Sequence, residues 1–147
     1  GIGSAEWEAD TTERKAAWSL YVELVTRIAV QSLEVDQGLV REALNSLYSL
    51  FGTTREVLKA AGPDVGASKN SVGGIAIAVL NNGLRPFLAK WHPVLQAWEA
   101  RRPVGLSPKE HEVNWTEEAR LRSELASLRG DLEEYAKALA VISGVEE

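Results

Sequence analysis

The residues best suited to chemistry in this chain are its two histidines, because the sequence contains no cysteine. His92 follows Arg85 after six intervening residues, and His111 stands between Glu110 and Glu112. The Glu-His-Glu cluster has residue types that bind metals, but adjacent side chains point in different directions and no second histidine lies at ligand spacing. We therefore expect no metal site around His111, which we assign to a solvated linker.

The spacing of Arg85 and His92 resembles the Arg-x4-6-His motif of HEPN ribonucleases, which are all-helical proteins. The resemblance implies that Arg85 and His92 converge to cleave RNA, usually across a dimer. The chain differs from the family where Pro86 replaces the usual polar residue, and its motif falls in the third predicted helix rather than near the fourth. We therefore rank a ribonuclease second to a function without catalytic residues.

Two longer segments resemble uncharacterised bacterial helical modules of multidomain signalling and conflict proteins. They are residues 20–27, LYVELVTR, and residues 84–93, LRPFLAKWHP. The similarity extends over most of the chain. It implies an accessory or interaction role within a larger bacterial signalling or defence protein, and it assigns no catalytic residue.

Length and composition predict a single folded domain. The 147 residues are 45% apolar and 25% charged, which is typical of a globular protein. Since position 1 is not methionine, we interpret residues 1–9 as a tag remnant with a flexible N-terminus, and residues 10–147 as the domain. The lack of cysteine and of a secretory signal favours a cytoplasmic location.

The charges are unevenly distributed along the chain. A net charge of −5 disfavours DNA binding, which depends on neutralising phosphates. Residues 72–109 nevertheless carry +4, while residues 110–147 carry −6. The basic segment could bind an acidic partner, but we favour its packing against the acidic last helix. Its basic residues are Arg85, Lys90, Arg101, Arg102 and Lys109.

Hydrophobic periodicity predicts four helices, and therefore an all-α, antiparallel four-helix bundle. The first helix begins with a capping box of Asp10 and Glu13 and ends near Leu33 or Glu34. Asp36 can cap the second helix, and Gly52 indicates a break or a bend within it. Its expected buried stripe consists of Val40, Leu44, Leu47, Tyr48 and Phe51.

The third predicted helix, residues 72–100, is strongly apolar yet contains several glycines and prolines. Gly73 and Gly74 lower its helix propensity but allow another backbone to approach closely. Pro86 and Pro93 each remove a hydrogen-bond donor, so we expect either one kinked rod, which we favour, or two helices with a joint near Asn82-Gly83. The apolar run 72–80 is too short to cross a bilayer and polar residues follow it, so a membrane-acting effector ranks third.

The end of the chain predicts a linker followed by the most regular helix. Residues 103–113 are polar and contain glycine and proline, which indicates a linker. Asn114 then caps a helix whose apolar residues recur at heptad spacing. They are Leu121, Leu125, Leu128, Leu132, Tyr135, Leu139 and Ile142.

The tryptophans of the third helix suggest a contact surface. Trp91 and Trp98 are seven residues apart, hence on one helical face, and they either pack in the core or anchor a partner. We predict a non-enzymatic protein-interaction or regulatory module without a cofactor, which binds a protein partner or a neighbouring domain. A homodimer is also compatible with the sequence. The predicted contact residues are Arg85, Phe87, Lys90, Trp91 and Trp98.

Overall fold

The regular structure of the protein is entirely helical in residues 10–27 and 38–145, which are those that the computed structural model describes. The predicted all-α class is thereby confirmed, while the predicted tag remnant, residues 1–9, lies outside these ranges. A 3-10 turn, Pro63–Gly66, follows the second helix, and a π turn, Leu80–Leu84, joins the third to the fourth. The α-helices are α1 (Thr11–Val25), α2 (Val40–Ala61), α3 (Val72–Val79), α4 (Arg85–Glu99), α5 (Pro108–Val113) and α6 (Glu118–Ser143).

Helix α1 begins at the predicted cap but ends earlier than predicted. The Asp10 Oδ1 accepts a hydrogen bond from the backbone N–H of Glu13 at 2.7 Å. The Glu13 carboxylate does not complete a capping box but accepts the backbone N–H of Val72 at 3.1 Å. It therefore caps α3, because the first amides of a helix have no partner within the helix. Helix α1 ends at Val25 rather than near Leu33.

Helix α2 runs without interruption through Gly52, where a bend was expected. A single glycine costs a helix only about 1 kcal/mol relative to alanine, which the buried residues on either side offset. Four members of the predicted stripe are buried, namely Val40, Leu44, Leu47 and Phe51, but Tyr48 is 67% exposed. The assignment of Tyr48 to the buried stripe was therefore wrong. The predicted cap at Asp36 lies outside the described residues.

The third predicted helix is one unbroken helical run, Val72–Glu99, with a π turn near its middle. In that turn the backbone N–H of Arg85 donates to the carbonyl of Leu80, five residues earlier. Pro86 follows directly and lacks the N–H that would continue the hydrogen-bond ladder, so the departure from α-helical geometry lies beside it. The expected joint near Gly83 therefore coincides with the π turn. The kink itself and the antiparallel four-helix arrangement remain predictions.

Gly73 and Gly74 allow the start of α3 to lie directly against the preceding loop. A Cβ atom on Gly73 would lie 2.7 Å from the carbonyl oxygen of Val65. One on Gly74 would overlap the carbonyl oxygen of Ser68. The predicted close backbone approach is confirmed at both positions.

The core is formed where α1, α2, α3, α4 and α6 meet. Helix α1 packs against α2 and α6, and α4 lies against α2. All seven members of the predicted heptad stripe of α6 are buried. The helix starts at Glu118, however, and Asn114 ends α5 instead of capping α6.

The predicted linker, residues 103–113, contains helix α5 and is not fully solvated. The Ser107 hydroxyl caps α5 by accepting the backbone N–H of Glu110 at 3.1 Å. His111 and Glu112 are each only 5% exposed. The solvated-linker interpretation of His111 was therefore wrong, because polar residue types hid the burial that other helices impose.

By length and composition alone, Val72–Glu99 could cross a membrane, which no other helix in the described part of the chain could do. It has 28 residues, and the mean hydropathy reaches 1.3 over its most apolar 18. The helix is longer than the apolar segment 72–80 because the π turn, Leu80–Leu84, connects α3 to α4 without a break. About 39% of that apolar window is buried within the protein.

Candidate functional site

The five predicted contact residues do not form one surface. Trp91 is 1% exposed, so its ring cannot reach a partner. It packs edge-on against Trp115, with ring centroids 6.1 Å apart, and its Nε1 donates to Glu124 at 3.1 Å. Phe87 and Trp98 are partly buried against the core, whereas Arg85 is exposed. Of the two interpretations of the tryptophans, core packing is correct for Trp91.

Lys90 is already paired within the protein. Its Nζ lies 2.8 Å from both carboxylate oxygens of Glu124 on α6. The ammonium group holds the pKa of the Glu124 carboxyl below its ordinary value. This pair realises the expected contact between the basic segment and the acidic last helix. By contrast, Arg101 lies over the Trp98 ring, and Arg102 donates to the carbonyl of Leu106.

Trp98 and His111 form a stacked pair that links α4 to α5. Their rings are parallel within 3° and their centroids are 4.2 Å apart. The Trp98 Nε1 donates to the carbonyl of His111 at 2.9 Å, and the His111 Nε2 donates to the carbonyl of Trp98 at 2.6 Å. In residues 10–27 and 38–145, no group of three or more metal-ligating side chains occurs.

A groove of about 500 Å³ lies between α2 and α4. We call it the α2–α4 groove. Gly52 leaves space at its wall, since no other atom lies within 4 Å of where a Cβ would stand. Both Arg85 and His92, the residues of the HEPN-like motif, line this groove. Its full lining is Tyr48, Ser49, Phe51, Gly52, Arg55, Arg85, Leu88, Ala89, His92 and Pro93.

Two arginines from different helices lie near the ring of Phe51 in this groove. The Cζ atom of Arg85 lies 5.0 Å from the ring centroid, and that of Arg55 lies 5.9 Å from it. Each contact is a cation–π interaction, of about 0.5–1 kcal/mol at an exposed site. Asn81, in the π turn, also accepts hydrogen bonds from the Arg85 Nε and Nη2, each at 3.3 Å. The turn therefore helps to orient Arg85.

Neither Arg55 nor Arg85 pairs with a carboxylate in the part of the chain that the structure describes. The basic side chains Arg27, Arg41, Lys90, Arg120, Arg122 and Lys137 all do. The groove thus combines an apolar floor with two guanidinium groups whose charge is not neutralised. Such a surface suits a ligand with both apolar and anionic groups.

Sequence reasoning missed the residues that α2 contributes to this groove. Tyr48 and Phe51 were expected in the core, and Arg55 was not singled out. The available signal was their spacing, because residues 48, 51, 52 and 55 recur at helical intervals on one face. An aromatic residue followed by arginine four positions later is a neighbouring pair on a helix.

Within the residues that the structure describes, the fold and the site define an all-helical protein with an arginine-edged groove between two helices. No protein-family model, no curated protein and no solved structure matches the chain. The resemblances to HEPN ribonucleases and to bacterial helical modules therefore remain predictions.

Proposed function

We propose that this chain is a non-enzymatic, cytoplasmic protein-interaction module, organised as an antiparallel four-helix bundle. It binds an acidic segment of a partner protein, or of a neighbouring domain, in the α2–α4 groove. One observation carries the proposal: Arg55 and Arg85 flank the same aromatic ring, and no carboxylate of the described residues neutralises either.

The groove supplies both parts of a typical interface. Apolar side chains of the partner pack against Phe51 and Leu88, and its carboxylates accept hydrogen bonds from the guanidinium groups. Tyr48 is exposed beside them, and tyrosine and arginine are frequent anchors of interfaces. The proposed contact set retains Arg85 from the sequence prediction and adds Tyr48 and Arg55. It leaves out the other four predicted residues, which do not line the groove: Phe87, Lys90, Trp91 and Trp98.

The test is an NMR titration of the protein with matched helical peptides. The three peptides share a leucine stripe. At their remaining positions one peptide carries glutamate, the second glutamine and the third lysine. We expect the glutamate peptide to bind most tightly and to shift the amide signals of Phe51, Arg55 and Leu88. Equal affinity for the glutamate and lysine peptides would contradict the proposal.

A pair of matched variants locates the binding site. Arg85→Gln should weaken binding of the glutamate peptide by about tenfold or more, since a charged hydrogen bond contributes about 1.5–3 kcal/mol. Arg101→Gln is the control, because Arg101 also lies over an aromatic ring, Trp98, but does not line the groove. If both variants bind as the wild type does, the α2–α4 groove is not the site.

A ribonuclease of the HEPN type is the second candidate, and it is favoured by the presence of Arg85 and His92 in one groove. This alternative predicts that the protein cleaves single-stranded RNA. It also predicts that Arg85→Ala and His92→Ala each abolish cleavage without changing the circular dichroism spectrum. A folded protein that leaves the RNA intact would exclude this alternative.

A further inference from the structure

The hydrogen bonding of His92 determines which of its ring nitrogens carries the proton. The Nη1 of Arg41, on α2, lies 3.2 Å from the Nδ1 of His92. Arginine has only donors, so the Nδ1 must be the acceptor. A neutral imidazole that accepts at Nδ1 carries its hydrogen on Nε2.

Arg41 is held in position by a second contact, with Glu99 near the end of α4. Its Nε and Nη2 donate to the two carboxylate oxygens of Glu99, at 2.9 Å and 2.6 Å. Two parallel hydrogen bonds fix the plane of the guanidinium group. The tautomer of His92 is therefore set by the protein before any ligand arrives.

We infer that His92 is a specificity-determining residue of the α2–α4 groove, which recognises a carboxylate of the acidic partner segment through its Nε2–H. This inference rests on the proposed function. Arg55, Arg85 and His92 all line the groove, and with His92 in this tautomer each of the three side chains carries N–H donors. A carboxylate satisfies these donors, whereas an ammonium group satisfies none and an amide presents its own donors as well.

The same arrangement opposes a role of His92 in RNA cleavage. A general base needs a ring nitrogen whose lone pair is available to the proton that it removes. Here the Nε2 already carries hydrogen, and the Nδ1 lone pair accepts from Arg41. His92 can act as a base only after the contact with Arg41 is broken.

The tautomer can be measured without any ligand. Long-range proton–nitrogen NMR spectra of the histidine-labelled protein, recorded at alkaline pH, distinguish the two neutral forms. We expect His92 in the Nε2–H form, with His111 as the internal reference, since its Nε2 donates to a carbonyl. The Arg41→Gln variant should shift His92 toward a mixture of both forms. An Nδ1–H tautomer of His92 in the wild type would overturn the inference.

Binding of the glutamate and glutamine peptides then tests specificity. His92→Gln keeps a donor near the position of Nε2 and should retain the preference for glutamate within about twofold. His92→Phe keeps the ring but no donor, and should reduce that preference by about tenfold, the value of a charged hydrogen bond. An unchanged preference in His92→Phe, with Arg85→Gln still impaired, would refute the role of His92 alone. If neither His92→Phe nor Arg85→Gln changes the binding of the glutamate peptide, the proposed function is refuted as well.

Discussion

The backbone N–H of Val40, the first residue of α2, donates to the Oε2 of Glu112 at 2.9 Å, across 72 residues of chain. Glu112 thus performs from α5 the capping that a local side chain usually provides. Its other carboxylate oxygen accepts from the Nη2 of Arg122 on α6 at 3.2 Å. One buried carboxylate therefore links α2, α5 and α6.

Replacement of Glu112 should change how stability depends on pH. Burial raises the pKa of Glu112 above its ordinary value of 4.5, and the nearby Glu118 acts in the same direction. The hydrogen bond from Val40 and the charge of Arg122 oppose this shift. A raised pKa in the folded state favours folding fully below pH 4.5, and this contribution is lost as the pH rises through the raised value.

Glu112→Gln removes this titration but keeps an oxygen that can accept from Val40. We expect its free energy of unfolding, measured by urea denaturation, to decline less steeply above pH 4.5 than that of the wild type. Glu110→Gln, on the exposed side of α5, is the control and should follow the wild-type curve. Parallel curves for Glu112→Gln and the wild type would contradict the assignment.

Two glycine substitutions should have effects of opposite sign. Gly73→Ala places a Cβ 2.7 Å from a backbone oxygen, so it should lower the free energy of unfolding by about 1–3 kcal/mol. Gly52→Ala meets no atom within 4 Å and lies within α2, so it should raise this free energy by about 0.5–1 kcal/mol. Urea denaturation of both variants measures the difference. A destabilised Gly52→Ala would indicate that α2 does bend there.

Tyr48 and Phe51 should differ in their effects on stability although both were assigned to the same stripe. Phe51→Ala removes a side chain that is 8% exposed and should cost about 3–5 kcal/mol. Tyr48→Ala should cost no more than about 0.5 kcal/mol, as for other surface substitutions, but should weaken binding of the glutamate peptide. A large loss of stability in Tyr48→Ala would place its ring in the core.

The tryptophans should differ in their access to a neutral quencher. Trp18 is 48% exposed on α1, while Trp91 is 1% exposed. Trp18→Phe should therefore remove a readily quenched part of the fluorescence in an acrylamide titration. The matched Trp91→Phe variant loses a buried tryptophan instead, so acrylamide should quench a larger fraction of its remaining fluorescence. Identical quenching curves for the two variants would show that the tryptophans are equally accessible.

Local sequence determined most helix positions. Asp10 caps α1, Gly62 ends α2, and Ser71 caps α3, because a capping side chain or a glycine acts within a few residues of itself. The heptad stripe of α6 identified its buried face for the same reason, since side-chain direction repeats every 3.6 residues along a helix. The all-α class follows from these local rules.

Only the tertiary structure decided which partners meet. Periodicity shows that one face of a helix is apolar, but the neighbours that cover it come from distant parts of the chain. Glu112 and His111 are polar in sequence and buried in the fold, because α2, α4 and α6 provide their hydrogen bonds and ring contacts. The groove likewise depends on the tertiary structure, because Arg85 on α4 meets the Phe51 ring of α2, whereas Arg55 reaches that ring from four residues along the same helix.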